Sequence, residues 1–293
     1  MHFIMKKLQR GSFGPVLGMI FMLSLATASQ AQEMMLWPKR QIIQDGNQTS
    51  SFLVINNSLE PALVRITFQK RMMSLVGALE QVSDDTAHEC FADPADFQIS
   101  PRQFTLQGNT QQEIKIIQRA PLAAGKPEER VHLAFNFYPS PDSLPVLKAS
   151  SGQQQENNVT LIGLTAQIVP LFKLRQPAAE TDPMEIEKIR LMPTTNGGNQ
   201  LAIKIRKSVA RSIRGNLQAH YIAPTQGAAP VLLGHVKGVA AYCELDEMLV
   251  RLPVDSTALT EARAQYPGGK LSISFNETSK VPYPVVIERD FPL

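Results

Sequence analysis

Apolar and polar residues alternate with period two along most of this chain, and no long window carries the apolar spacing of a surface helix. Val64, Ile66 and Phe68 alternate with Arg65, Thr67 and Gln69, and Leu133, Phe135 and Phe137 with Ala134, Asn136 and Tyr138. Leu201, Ile203 and Ile205 alternate with Ala202, Lys204 and Arg206, and Leu271, Ile273 and Phe275 with Ser272 and Ser274. Successive strand side chains point to opposite faces, so each run predicts a strand with one buried and one polar face. Shorter candidates lie at 52–55, 113–117, 161–168, 217–221, 231–233, 239–242, 248–252 and 285–288. Turn signals separate them at Asp45-Gly46, Gln107-Gly108-Asn109, Asn196-Gly197-Gly198 and Pro267-Gly268-Gly269. The expected fold class is therefore all-β. Strands this numerous exceed one seven-stranded sandwich and predict two of them.

The boundary between the two is expected at Gln176-Pro177-Ala178-Ala179-Glu180-Thr181-Asp182-Pro183, where prolines interrupt the alternation. That gives an N-terminal domain at 32–176 and a C-terminal one at 177–293. A second irregular stretch, 139–158, holds three prolines and a Ser/Gly/Gln-rich tail between two strong strands, and it reads as a long loop.

The N-terminus has a different character. Lys6, Lys7 and Arg10 precede an apolar run from Phe13 to Leu25 that ends in Ala26-Thr27-Ala28-Ser29-Gln30-Ala31. This is the pattern of a secretory signal peptide at 1–31, cleaved after Ala31 or Ala28, and it predicts export. Those three cations account for the formal charge of +3, because 29 basic residues less these three equals the 26 acidic ones. A chain neutral beyond its signal lacks the cationic excess that binds phosphate backbones, so no nucleic-acid partner is expected.

Chemistry-bearing motifs are missing. No G-x-S-x-G, P-loop, G-x-G-x-x-G or H-E-x-x-H pattern occurs. The five histidines are scattered, and His132, on a strand beside Arg130, reads as a surface imidazole. Cys90 and Cys243 are the two cysteines, one in each expected domain, which gives no disulfide framework. His88 and Cys90 beside Asp84, Asp85 and Glu89 form half of a metal pattern that nothing completes, so the segment reads as a solvated acidic loop. No enzyme activity, catalytic residue, metal, cofactor or small-molecule substrate is expected.

Specific residues go further. Trp37-Pro38-Lys39-Arg40-Gln41-Ile42-Ile43, Asp45-Gly46 and Phe52-Leu53-Val54-Ile55-Asn56-Asn57-Ser58 open the first domain. Phe97-Gln98-Ile99-Ser100-Pro101-Arg102-Gln103-Phe104-Thr105-Leu106 then leads through Gly108 into Glu113-Ile114-Lys115-Ile116, and Arg130-Val131-His132-Leu133-Ala134-Phe135 precedes the long loop. In order and spacing over residues 37–175 this resembles the periplasmic pilus (fimbrial) assembly chaperones, as a divergent, atypical member. The acidic and serine positions after Arg130 hold Val131 and His132, residues 77–93 lengthen a connection, and no cysteine pair flanks the long loop.

The resemblance implies two immunoglobulin-like β-sandwich domains in a boomerang arrangement. It implies fimbrial or pilin-like subunits as partners, held by donor-strand complementation for surface-fibre assembly, and it leaves an outer-membrane usher open as a second partner. The strand after the long loop presents Ile162, Leu164, Ala166 and Ile168 on one face, as strand donation requires. The family's carboxylate anchor pairs an arginine with a lysine. Arg40 matches the arginine, while the lysine position falls near Val169 or Pro170, so Lys173 or Arg175 is the expected substitute. Pro170 predicts an edge or a break in that strand. The alternative reading is a structural subunit or periplasmic scaffold built from sandwiches.

Overall fold

The computed structural model describes residues 34–44, 48–139, 165–175, 183–195 and 197–293. The expected signal peptide, most of the long loop, the linker at 176–182, and Ile162 and Leu164 lie outside the described residues.

The first half contributes β1 (Met34–Trp37), β2 (Gln41–Gln44), β3 (Thr49–Asn56), β4 (Ala62–Gln69), β5 (Arg71–Met73), β6 (Leu79–Gln81), β7 (Phe97–Ser100), β8 (Gln103–Leu106), β9 (Thr110–Gln118), β10 (Glu128–Pro139) and β11 (Thr165–Leu174). One sheet runs β1-β3-β9-β7 and the other β2-β11-β10-β4-β8. Their inward faces meet in one core, where the Phe52 and Phe135 rings touch edge to face at 5.6 Å across the two sheets. The alternation on β4 and β10 places Val64, Ile66, Leu133, Phe135 and Phe137 in that core. Each such side chain contributes roughly 1.5–3 kcal/mol on burial. β5 and β6 form a separate hairpin.

The second half contributes β12 (Met184–Pro193), β13 (Asn199–Lys207), β14 (Ile213–Ile222), β15 (Val231–Ala241), β16 (Glu247–Val254), α1 (Ser256–Gln265), β17 (Lys270–Glu277) and β18 (Val286–Pro292). Its sheets run β12-β13-β16 and β15-β14-β17-β18, closing over a core that includes Ile203, Ile205, Leu217, Tyr221, Ile273 and Phe275. Both halves are thus antiparallel two-sheet sandwiches of the immunoglobulin-like type, and among the described strands β2 with β11 is the parallel pair. The candidates at 231–233 and 239–242 are one continuous strand, β15.

The helix α1 lies where the sequence shows no helical stripe. Only Leu259 and Ala262 bury, so no stripe marks the sequence, and the helix starts because the Asp255 carboxylate accepts from the Thr257 and Ala258 N–H groups at 3.0 Å each.

The two sandwiches lie within one compact unit, Gln32–Leu293. Cys90 and Cys243 are disulfide-bonded with Cα atoms 6.3 Å apart, which corrects the expectation of no disulfide framework and removes Cys90 from any metal pattern. The reason is spatial: the loop before β7 and the β15–β16 turn meet across the two sandwiches, a proximity 153 residues of intervening chain conceal.

Candidate functional site

β11 pairs antiparallel with β10 along its whole length, from Thr165 opposite Phe137 to Leu174 opposite Glu128. On its other side β2 runs parallel and pairs only residues 171–174 with 41–44. Among the described residues, 165–169 therefore carry a ladder on one side and an open edge on the other. Val169 and Leu171 point into the first core. Ala166 and Ile168 take the opposite face, Ala166 exposed and Ile168 half-buried with Ala134 as its cross-strand neighbour. Pro170 does not break the strand. It lacks an N–H to donate and falls one residue before β2 begins to pair, at the boundary between the open and closed edges.

The outer face changes character beyond Pro170 because the second sandwich covers it. Phe172 meets the Tyr242 ring edge-on at 5.7 Å, and both join Met73 and Leu245 in a small apolar cluster between the sandwiches. This is why residues 168–172 read apolar on both faces: a strand covered on both sides needs no polar one.

A cleft of about 940 Å³ opens where the open edge ends. Arg40, Met73 and Pro170 line it from the first sandwich, and Arg214, Tyr242 and Met248 from the second. Arg40 sits on the segment that carries the chain from β1 in one sheet to β2 in the other. Its guanidinium lies 4.2 Å over the Phe172 ring, and its buried Nε has no hydrogen-bond partner. Burial lowers its pKa, with Glu128 and Tyr242 opposing that shift and Arg214 adding to it. The group remains a cation because guanidinium does not lose its proton in proteins.

Lys173 does not join Arg40. It points to the opposite face of β11, where it is 1% exposed and ion-paired with Asp96 at 2.5 Å and Glu129 at 2.9 Å. Its charge is matched inside the first sandwich, which corrects its expected role as an anchor. Arg175 donates toward the Ala123 carbonyl at 3.4 Å. The basic side chains that line the cleft with Arg40 are Lys39, Arg214 and Arg251, none of which the sequence marked as an anchor.

Polar side chains also join the two sandwiches. Arg130, fully buried, forks both carboxylate oxygens of Glu244 at 2.7 Å and donates to the Arg71 carbonyl at 2.8 Å. Glu244 also accepts from the Met73 N–H at 2.7 Å, so a strand of the first sandwich, its β5–β6 hairpin and the second sandwich share one ion pair. Glu128 accepts from the Ser212 N–H at 2.7 Å and Oγ at 2.6 Å. Burial pushes the Glu128 pKa up, and the Ser212 donors work against that shift. The tip of the hairpin reaches β16, where the Leu249 N–H donates to the Leu75 carbonyl at 2.8 Å.

His132 corrects its surface assignment. It lies on the face of β10 that carries Arg130, is 1% exposed, and neither ring nitrogen has a hydrogen-bond partner. Its ring packs 6.0 Å from that of Tyr242. The polar alternation around it reads as a solvated face because nothing local signals that a second sandwich covers it.

No family model matches the chain, and no curated protein does. Among solved structures the fold is similar to that of the YadV chaperone, at TM-score 0.44 and 11% identity over 89% of this chain and 100% of that one. A chain of the Salmonella enterica SafA pilin complex with the SafB chaperone gives 0.40 at 14% identity, over 91% of this chain and 99% of that one. The Pseudomonas aeruginosa CupB2 chaperone gives 0.41 at 11% identity, over 88% and 100%.

Proposed function

We propose that this chain is an exported, non-enzymatic assembly chaperone that captures a pilin-like subunit by adding β11 to the subunit's incomplete sheet. The observation that carries the reading is the half-open β11. Residues 165–169 present an unpaired edge while Ala166 and Ile168 face away from the chaperone's own core. A subunit short of one strand exposes unpaired backbone groups and an apolar groove, and only a strand offering both hydrogen bonds and alternate apolar side chains covers both. The edge runs directly into the cleft that holds Arg40, where a carboxylate at the end of the captured strand finds a cation. The resemblance of residues 37–175 to the pilus chaperones supports the same reading.

The test is co-purification. Tagged protein taken from the periplasm of a host making surface fibres is expected to bring down a small β-rich subunit in a one-to-one complex. Ile168→Asp, which would place a charge in the subunit's apolar groove, is expected to lose that partner while melting like the wild type. Self-polymerisation in light scattering, with no partner present, would favour the structural-subunit reading instead.

A further inference from the structure

The Cys90–Cys243 bond joins two sulfurs in different surroundings. Cys90 is 4% exposed, and among the described residues its sulfur accepts no hydrogen bond. Its backbone is fixed on both sides: the N–H donates to His88 Nδ1 at 3.2 Å, and the carbonyl accepts from the Arg130 N–H at 2.8 Å. Cys243 is half-buried on the β15–β16 turn, with its N–H donating to Ser212 Oγ at 3.1 Å. Its sulfur accepts from Arg130 Nη1 at 3.1 Å and lies 3.7 Å from Glu244 Oε2.

In the reduced protein a guanidinium donating to sulfur favours thiolate over thiol, and a carboxylate beside it does the opposite. At Cys243 the cation prevails. It is the nearer group, it hydrogen-bonds the sulfur, and the Glu244 carboxylate already shares its charge with that same guanidinium at 2.7 Å. The thiolate, not the thiol, attacks a disulfide. Cys243, reachable and held as thiolate, is therefore the sulfur that meets an oxidant first. Cys90, buried and without a donor to its sulfur, is placed to react with Cys243 and shielded from a second oxidant molecule.

We propose that Cys243 is a thiol–disulfide exchange site, activated by Arg130, through which a disulfide oxidant RSSR installs the bond between the sandwiches. The Cys243 thiolate attacks RSSR, forming Cys243–S–S–R and releasing RS⁻. The Cys90 thiolate then attacks the Cys243 sulfur, forming the Cys90–Cys243 bond and releasing the second RS⁻. Two electrons pass from the cysteines to the oxidant, and the two cysteine protons pass through water to the two RS⁻ groups, so the oxidant leaves as two thiols. The chaperone reading plays no part in this step.

The test reduces the protein, removes the reductant and adds glutathione disulfide at pH 7, reading the glutathione adduct by intact mass. In the Cys90→Ser variant, where nothing resolves the adduct, Cys243 is expected to react at least about tenfold faster than Cys90 does in Cys243→Ser. Each unit by which Arg130 lowers the thiol pKa multiplies the thiolate about tenfold and cuts its nucleophilicity about threefold, so Arg130→Gln in the Cys90→Ser background is expected to slow the adduct about threefold or more. Arg130→Lys should recover part of that rate, and Glu244→Gln, which removes the anion, should not slow it. A contact that merely held the fold together would act with the opposite sign, since losing Arg130 would expose the sulfur and speed the reaction. In the wild type, acid quenching at early times followed by peptide mapping is expected to place glutathione on Cys243. Equal rates for the two cysteines, an Arg130→Gln rate at or above that of its parent, or wild-type glutathione on Cys90 would each overturn the proposal.

Discussion

At the scale of single residues, the interior between the sandwiches is unusually polar, and His132 shows what that costs. Burial, then the neighbouring charges of Arg130 and Arg71, lower its pKa to about 3, against 6.5 for a free imidazole. Below pH 6.5 the unfolded chain takes up a proton that the folded one refuses. The neutral buried imidazole therefore carries no penalty above that pH, and stability falls as the pH drops toward 3, by about 2 kcal/mol at pH 5. His132→Leu is expected to lose about 2 kcal/mol less than the wild type between urea melts at pH 7 and pH 5. Equal losses would show that the histidine is not the group responsible. Nothing local in the sequence marks His132, Lys173 or Arg130 as buried, because their partners, Tyr242, Asp96 and Glu244, are distant in the chain. Arg40 was legible through its place in the opening motif. Arg214 carried no such mark.

At the scale of elements, period-two patterning located the central strands of both sandwiches because a strand with one face in a core and one in water must alternate. It failed where that condition fails. β11 is apolar on both faces near Phe172, the short β1 and β2 are too brief to show a period, and α1 buries only two residues of ten. Pro170 was read as an edge or a break. It lies at an edge within an unbroken strand, because β2 begins to pair only at Leu171 and so makes no demand on the missing N–H. The connection at 77–93 was legible as an insertion. Its consequence was not: the preceding hairpin reaches the second sandwich through Leu75, and the segment itself ends at the bonded Cys90.

At the scale of the whole molecule, the two sandwiches are joined by contacts of three kinds. The Arg130–Glu244 fork and the Glu128–Ser212 bonds are polar, the Phe172–Tyr242 cluster is apolar, and the Cys90–Cys243 bond is covalent. A bond between residues 153 apart removes much of the freedom of the unfolded chain, so the paired variant Cys90→Ser, Cys243→Ser is expected to lose on the order of 2–4 kcal/mol in denaturant titration. An unchanged midpoint would mean the thiols are not joined in the mature protein. The bonded cysteines lie outside β11, whose edge at 165–169 is unpaired among the described residues.

The proposed function makes residues 165–169 of β11 the strand offered to the subunit. Amide hydrogen exchange on the protein alone and in its co-purified complex measures this directly. Amides of residues 165–169 are expected to exchange more slowly in the complex, while those of β12, β13 and β16 keep their rates. Protection that leaves 165–169 unchanged and falls elsewhere on the surface would contradict it.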